Sequence, residues 1–262
     1  MKNKCVILGS GISGVGTAQL AIKEGFSVFV SDSGPIKSDI KDKFKKPVFE
    51  MGYPRYDSYF NNLDNTVFFN KLLEKYSCNQ KKKTILWICT VSEYFSTIET
   101  YVEAMGKLTE KFNVILRPHP LEIDPQYSRY NPRVDAIVNS NVFIVNDNPY
   151  QDMTELYLIS DYVFCDYGGS IFSALYMDMN IMLLNHKNVY MDSGVYESTS
   201  MEIRNYLPSI NEESAGDIDN ILSNKLFWSS RRSKRKKARE LYFGKNVGLS
   251  SALAADKLME FL

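Results

Sequence analysis

The chain has 262 residues, enough for one large or two small domains, and 44% of them are hydrophobic, enough for a substantial core. Lys and Arg (31) balance Asp and Glu (31), so no whole-protein field favours nucleic acid, and any charge argument has to be local. No apolar run approaches the roughly 18–20 residues that span a bilayer, the first strand is too early and short for a secretory signal, and Cys5, Cys78, Cys89 and Cys165 lack CxxC spacing. These features predict a protein of the reducing cytoplasm with no integral membrane segment.

In chain order, the first element is an apolar strand, Cys5–Leu8, followed by the glycine turn Gly9-Ser-Gly-Ile-Ser-Gly-Val-Gly16. A helix over about 13–24, closed by Gly25, and a second strand, 27–30, complete the opening of a Rossmann-like unit. Residues 35–61 are lysine-rich, then carry Met51-Gly-Tyr-Pro-Arg55, and hold no convincing third strand. After a helix over about 66–76 and the lysine triplet 81–83, strands and helices alternate. Strands are predicted at 84–89, 113–116, 142–145, 162–165 and 181–184, with helices near 96–110, 149–159 and 170–176 between them. That order predicts an α/β fold, a parallel sheet with helices on both faces. The tail is predicted helical over about 214–224, 227–242 and 248–261. Two domains are expected, a partial βαβ segment over residues 1–46 and a larger domain over 47–262.

Gly9, Gly11 and Gly14 have the spacing that lets backbone N–H groups approach a phosphate at the start of the following helix, and Asp32 closes the second strand where a ribose-binding acid would sit. The same glycines also suit close helix-to-strand packing with no ligand. The stretch VILGSGISGVGTAQLAIKEGFSVFVSDSGPIK resembles the start of the Mur ligases that add D-glutamate to UDP-N-acetylmuramoyl-alanine, over about residues 3–44. That resemblance implies a UDP-type contact by Gly11–Gly14 and Asp32. Ligase chemistry also needs a G-x-x-x-x-G-K-[ST] loop for ATP, which the sequence lacks. A dinucleotide dehydrogenase is disfavoured because the unit does not continue past its second strand.

Four separated stretches carry the second signal: GYPRYD (52–57), ILWICT (85–90), VILRPHPLE (114–122) and MTELYLISDYVFCDYGGSIFSALYMDMNIMLLN (153–185). Together they resemble the CDP-glycerol glycerophosphotransferase family, builders of poly(glycerol phosphate) teichoic-acid chains, over about residues 47–262. The resemblance implies the donor-binding half of a glycosyltransferase-B-like fold, a CDP-glycerol or similar CDP-polyol donor, and a polyol-phosphate or lipid-linked acceptor. It implies no cofactor. Full-length members carry a preceding acceptor-side domain that is almost absent from this sequence, so a donor-binding module without turnover is the alternative expectation, and a UDP-binding ligase fragment a third. Residues 89–92, Cys-Thr-Val-Ser, also replace the Pro-Thr-aromatic-Arg wording frequent in members, which removes one cation near the phosphates.

Read residue by residue, Asp166-Tyr-Gly-Gly-Ser170 places Gly168, Gly169 and Ser170 at a helix N-terminus, where backbone N–H groups and the Ser170 hydroxyl can surround a diphosphate. Two glycines remove the Cβ atoms that would block approach. A plain N-cap by Ser170 is the simpler reading. Arg117 offers a planar fork to phosphate oxygens, and His119, held between two prolines, can donate a hydrogen bond or proton to the phosphate or the departing CMP. Asp166 is expected to orient its loop; Asp161, at the other end of the same strand, is too far away at about 3.3 Å per residue for the two to share a metal, and no metal site is expected. Thr154 and Glu155 either face the cytidine ribose or serve a helix cap. His186 is the weaker histidine candidate. Finally, Arg231–Arg239 packs seven basic residues into nine, either a solvated helix face or a contact for anionic lipid or poly(phosphate), consistent with a peripheral place on the inner membrane face.

Overall fold

The computed structural model describes residues 4–8, 12–31, 52–245 and 247–261. They fall into two compact units, Asn62–Arg239 and the remainder, Met1–Asn61 with Glu240–Leu262.

In the larger unit, strands β3 (Lys83–Ile88), β4 (Phe112–Arg117), β5 (Ile144–Val145), β6 (Tyr162–Cys165), β7 (Asn180–Leu184) and β8 (Ser209–Ile210) form a six-stranded sheet in the order β5-β4-β3-β6-β7-β8. Every neighbouring pair is parallel. The four central strands are short apolar runs buried almost throughout, as a sheet covered on both faces requires. Ile85, Leu86, Trp87, Ile115, Leu116, Val163 and Phe164 are fully buried; each such side chain contributes about 1.5–3 kcal/mol of apolar transfer.

The crossovers are α4 (Thr97–Leu108), α5 (Pro120–Ile123) with α6 (Pro132–Val138), α7 (Met153–Leu158) and α8 (Gly169–Tyr176), preceded by α3 (Thr66–Lys75). Short helices α9 (Ser193–Tyr196) and α10 (Thr199–Glu202) follow β7, and α11 (Ile218–Ser223) and α12 (Lys225–Phe243) follow β8. Of helices α3–α8, all except α8 start at a side-chain cap: Asn65, Ser96, His119, Asn131 and Asp152 each accept a backbone N–H of their own first turn.

The expected elements are present, with three differences at the edge strands and loops. The strand expected at 142–145 is only β5, because Asn141 takes a left-handed φ of +58° and Val142 is exposed. The helix expected from 149 starts at Met153, where Asp152 caps it. Helices α5 and α6 and strand β8, too short for any periodic pattern, were not expected; prolines in the first turn start both helices.

In the smaller unit, β1 (Lys4–Leu8) pairs in parallel with β2 (Ser27–Ser31) around α1 (Ile12–Lys23), with Lys4 opposite Ser27. Helix α2 (Asp57–Asn61) receives the chain's last helix, α13 (Ser250–Phe261): the Asp57 carboxylate accepts the N–H groups of Ser250 (3.2 Å) and Ser251 (2.5 Å). Phe29 of β2 meets Phe261 of α13 at 5.7 Å between ring centroids. No helix of the described residues is long and apolar enough to cross a membrane.

Candidate functional site

The sheet order places the topological switch between β3 and β6. The chain builds outward from β3 through β4 to β5, then returns to the other side of β3. The loops leaving the carboxyl ends of β3 and β6 therefore diverge and leave a crevice, the usual ligand position in an open parallel sheet. Asp166 closes the base of that crevice. It is fully buried at the end of β6, and its carboxylate accepts the N–H of Thr90 beyond β3 (2.9 and 3.1 Å), the N–H of Tyr167 (2.6 Å) and the Thr97 hydroxyl at the start of α4. Burial raises this carboxyl to about 6 from an ordinary 3.8, opposed by the bonds from Thr97, Tyr167 and Thr90 and by its own backbone N–H. With every oxygen directed inward, Asp166 holds the loop and makes no outward contact of its own.

Above it the chain turns into α8. Gly168 has φ +79° and ψ −163°, a conformation essentially reserved for glycine. It stands at the N-cap position without a side-chain cap, so the N–H groups of the first turn of α8, from Gly169 and Ser170 onward, are left for another acceptor. Gly168 and Gly169 are exposed and Ser170 is half-buried. Ser170 lies inside the helix, which excludes a simple N-cap. An exposed first turn, uncapped and entered through glycine, is suited to an oxyanion.

Arg117 ends β4, in register with Ile88 of β3, which is itself in register with Cys165. Its guanidinium is buried and donates to the Asn148 carbonyl (2.6 Å), the Asn146 carbonyl (3.1 Å) and the Asn146 side chain. Two residues on, Pro118 and Pro120 fix His119, whose Nδ1 accepts the N–H of Leu121 (3.2 Å). That bond leaves the proton on Nε2. Burial, then the neighbouring Arg117 charge, lowers His119 below the ordinary imidazole value, so it is a neutral Nε2–H donor at pH 7. The strand ends and loops of β4 and β6 thus supply backbone N–H groups, a buried cation and a neutral imidazole, a set chemically suited to a phosphate ester.

Residues 39–243 match the family described as CDP-Glycerol:Poly(glycerophosphate) glycerophosphotransferase. The chain belongs to this family. The teichoic acid glycerol-phosphate transferase of Staphylococcus aureus (strain NCTC 8325 / PS 47) is 25% identical over 134 residues, 48% of this chain and 32% of that protein. A structure of the wall teichoic acid polymerase TagF superposes with a TM-score of 0.65 at 19% identity, covering 96% of this chain and 62% of TagF; TagF has also been solved after a soak with CDPG. The likeness fixes the fold as glycosyltransferase-B-like. A separate 45-residue stretch, 17% of this chain, is 56% identical to a UDP-N-acetylmuramoylalanine–D-glutamate ligase of Christiangramia forsetii and covers 10% of that enzyme. The chain spans about a third or less of the curated proteins it matches.

Within this glycerophosphotransferase domain, several placements were not legible as motifs. Arg204 is half-buried behind the Asp166–Ser170 turn. It donates to the Asp166 carbonyl (2.5 Å), the Leu184 carbonyl (3.4 Å), the Asn185 side chain (2.8 Å) and the Ser200 carbonyl, with its guanidinium carbon 4.2 Å from the centroid of the Tyr167 ring. No spacing rule connects it to Asp166. Glu122 sits only 3% exposed on α5, with Oε2 lacking a hydrogen-bond partner among the described residues. Burial raises it to about 7, the Ser96 side chain opposing, with Asp166 and Glu99 adding to the rise. The notable pattern is Glu three residues after His119.

Thr154 and Glu155 lie in the first turn of α7. Asp152 supplies the cap, which corrects the capping alternative for both. Glu155 accepts from Lys75 (2.5 Å), Tyr76 (2.5 Å) and Gln151 (2.9 Å), and these bonds outweigh desolvation to hold its carboxyl low. The Thr154 hydroxyl is buried without a partner among the described residues. His186 is packed on Phe95 (4.8 Å), accepts the Asn188 N–H at Nδ1 and lies 3.5 Å from Glu212, a framework role. Asp161 accepts the Thr84 N–H at the amino end of β6, opposite Asp166. Of the N-terminal candidates, Gly14 falls inside α1, while Gly9, Gly11 and Asp32 lie outside the described residues.

Proposed function

We propose that this chain binds the CDP-polyol donor of its family, CDP-glycerol in the first instance, at the loops following β3, β4 and β6, and transfers glycerol phosphate from it to an acceptor hydroxyl. What carries the reading is the uncapped, exposed first turn of α8, fixed at the sheet's switch point by the fully buried Asp166. The diphosphate lies at the N–H groups of Gly169 and Ser170, within reach of the positive end of α8. The acceptor oxygen attacks the phosphorus that carries glycerol, and a new P–O bond forms as the bond to the bridging oxygen breaks. CMP departs with that electron pair, and the acceptor proton passes to solvent or a base on the acceptor side. CMP is a weakly basic leaving group, so the hydrogen bond from His119 Nε2–H and the charge of Arg117 are sufficient to stabilise it without full proton transfer.

Incubation with CDP-glycerol and a glycerol-phosphate-primed acceptor tests this. CMP release is expected, falling about 100-fold in His119→Ala with donor affinity changed far less. No CMP release together with no calorimetric binding of CDP-glycerol would refute it; binding without turnover would reduce the chain to a donor-binding module.

A further inference from the structure

Away from the donor loops, the larger unit has a cavity of about 380 Å³ between residues 204–208 and the first three turns of α12. Arg204, Tyr206 and Pro208 line one side, and Ser230, Arg231 and Lys234 the other. No acidic side chain lines it, in a chain whose formal net charge is zero.

The basic residues of α12 have separate uses. Arg235 is buried and ion-paired with Asp178 at 2.7 Å, with a further bond to Asn180 at the start of β7, so it fastens the helix to the sheet. Arg231 and Lys234 are three apart and share the pocket face. Neither takes part in an ion pair among the described residues. Arg231 is nevertheless held in place: its guanidinium carbon lies 3.6 Å from the Phe227 ring centroid, and Nη1 donates to the Phe227 carbonyl at 3.1 Å. The Ser230 hydroxyl donates to that same carbonyl at 3.0 Å and its oxygen accepts from Arg231 Nη1 at 3.5 Å, which leaves one lone pair as an acceptor for a hydroxyl group. Arg204 has most of its donors committed to the donor loop and its supports, so it contributes field more than contact.

A pre-positioned guanidinium, an unpaired ammonium and a hydroxyl acceptor around a cavity of this volume suit one phosphodiester with a small polyol attached. We propose that this pocket is a second anion site, which takes a phosphodiester unit of a polyol-phosphate chain apart from the donor loops. The proposal rests on the reading of the chain as a polyol-phosphate transferase domain.

The test is calorimetric titration of a soluble glycerol phosphate hexamer into the whole chain, into the pocket double variant Arg231→Gln with Lys234→Gln, and into a charge-matched control, Lys236→Gln with Lys237→Gln. Hexamer affinity is expected to fall about ten-fold or more in the pocket variant, the loss of one to two charge-assisted hydrogen bonds, and less than about two-fold in the control. Circular dichroism melts of both should match the parent. Equal losses in the two variants would mean a diffuse charge effect and overturn the site. So would pocket-dependent binding to phosphatidylglycerol vesicles with no hexamer binding, which would make the ligand a lipid headgroup. CDP-glycerol titration of the same proteins keeps the two readings separate: it should be unchanged in both variants, and its absence in the parent would refute the donor site alone.

Discussion

Two glycine-rich stretches of this sequence follow a parallel strand and precede a helix, and the sheets they follow are very different. The first follows β1 of a two-stranded sheet, with Val6 and Leu20 at 44% and 59% exposure. The second, after β6, emerges from the middle of a six-stranded sheet whose central residues are fully buried. Beneath it Asp166 ties three partners together, and behind it Arg204 joins two strand ends and the Tyr167 ring. A glycine motif permits phosphate approach, but the burial around it decides how firmly the donors are held. On that basis we propose the second turn as the phosphate site, although the first stretch has the more familiar spelling.

The difference can be broken from its strongest point. Asp166→Ala orphans the N–H groups of Thr90 and Tyr167 and the Thr97 hydroxyl, each worth about 1–3 kcal/mol when left buried and unpaired. CMP release from CDP-glycerol is expected to drop by about 100-fold or more, with a clear loss of Tm in calorimetry. An unchanged rate would separate the turn from the chemistry.

The buried charge near the second turn also has a pH signature. Glu122 is raised to about 7 in the folded chain from an ordinary 4.5, so the folded state holds the proton more tightly than the unfolded one. Its contribution is therefore intact below about pH 4.5 and is lost as pH rises through about 7. Glu122→Gln should abolish that part of the decline and raise stability at pH 8 by on the order of 3 kcal/mol, read by denaturant unfolding across the range. The smaller decline from Asp166, between its ordinary 3.8 and about 6, should persist in the variant.

Smaller effects sharpen the contrast. Gly168→Ala forces a Cβ into a left-handed backbone at φ +79° and should cost about 1–2 kcal/mol, with CDP-glycerol affinity falling about ten-fold in calorimetry. Gly14→Ala, in α1, should leave that affinity within about two-fold.

Much of this architecture was legible from the chain order of its elements. Apolar runs at β3, β4, β6 and β7 are the mark of buried parallel strands, and RPHP and DYGGS fall at strand ends where a parallel sheet presents its ligands. Contacts set by tertiary packing were not legible. Arg204 lies 38 residues from Asp166 and reaches it only because α10 and the turn after it bring the two together. Thr97 reads as an ordinary first-turn residue until β3 and β6 become neighbours. The roles of Glu155 and His186 were open for the same reason, since their partners Lys75, Tyr76, Phe95 and Glu212 come from distant segments. Local periodicity specifies strands and helices, whereas the direction in which a polar side chain finds its partner depends on the assembled sheet.

The account stands most directly on where CDP-glycerol lands. Amide hydrogen exchange of the whole chain with and without CDP-glycerol should show protection at residues 166–171 and 117–121 and none at residues 9–14. Protection confined to residues 9–14 would contradict it.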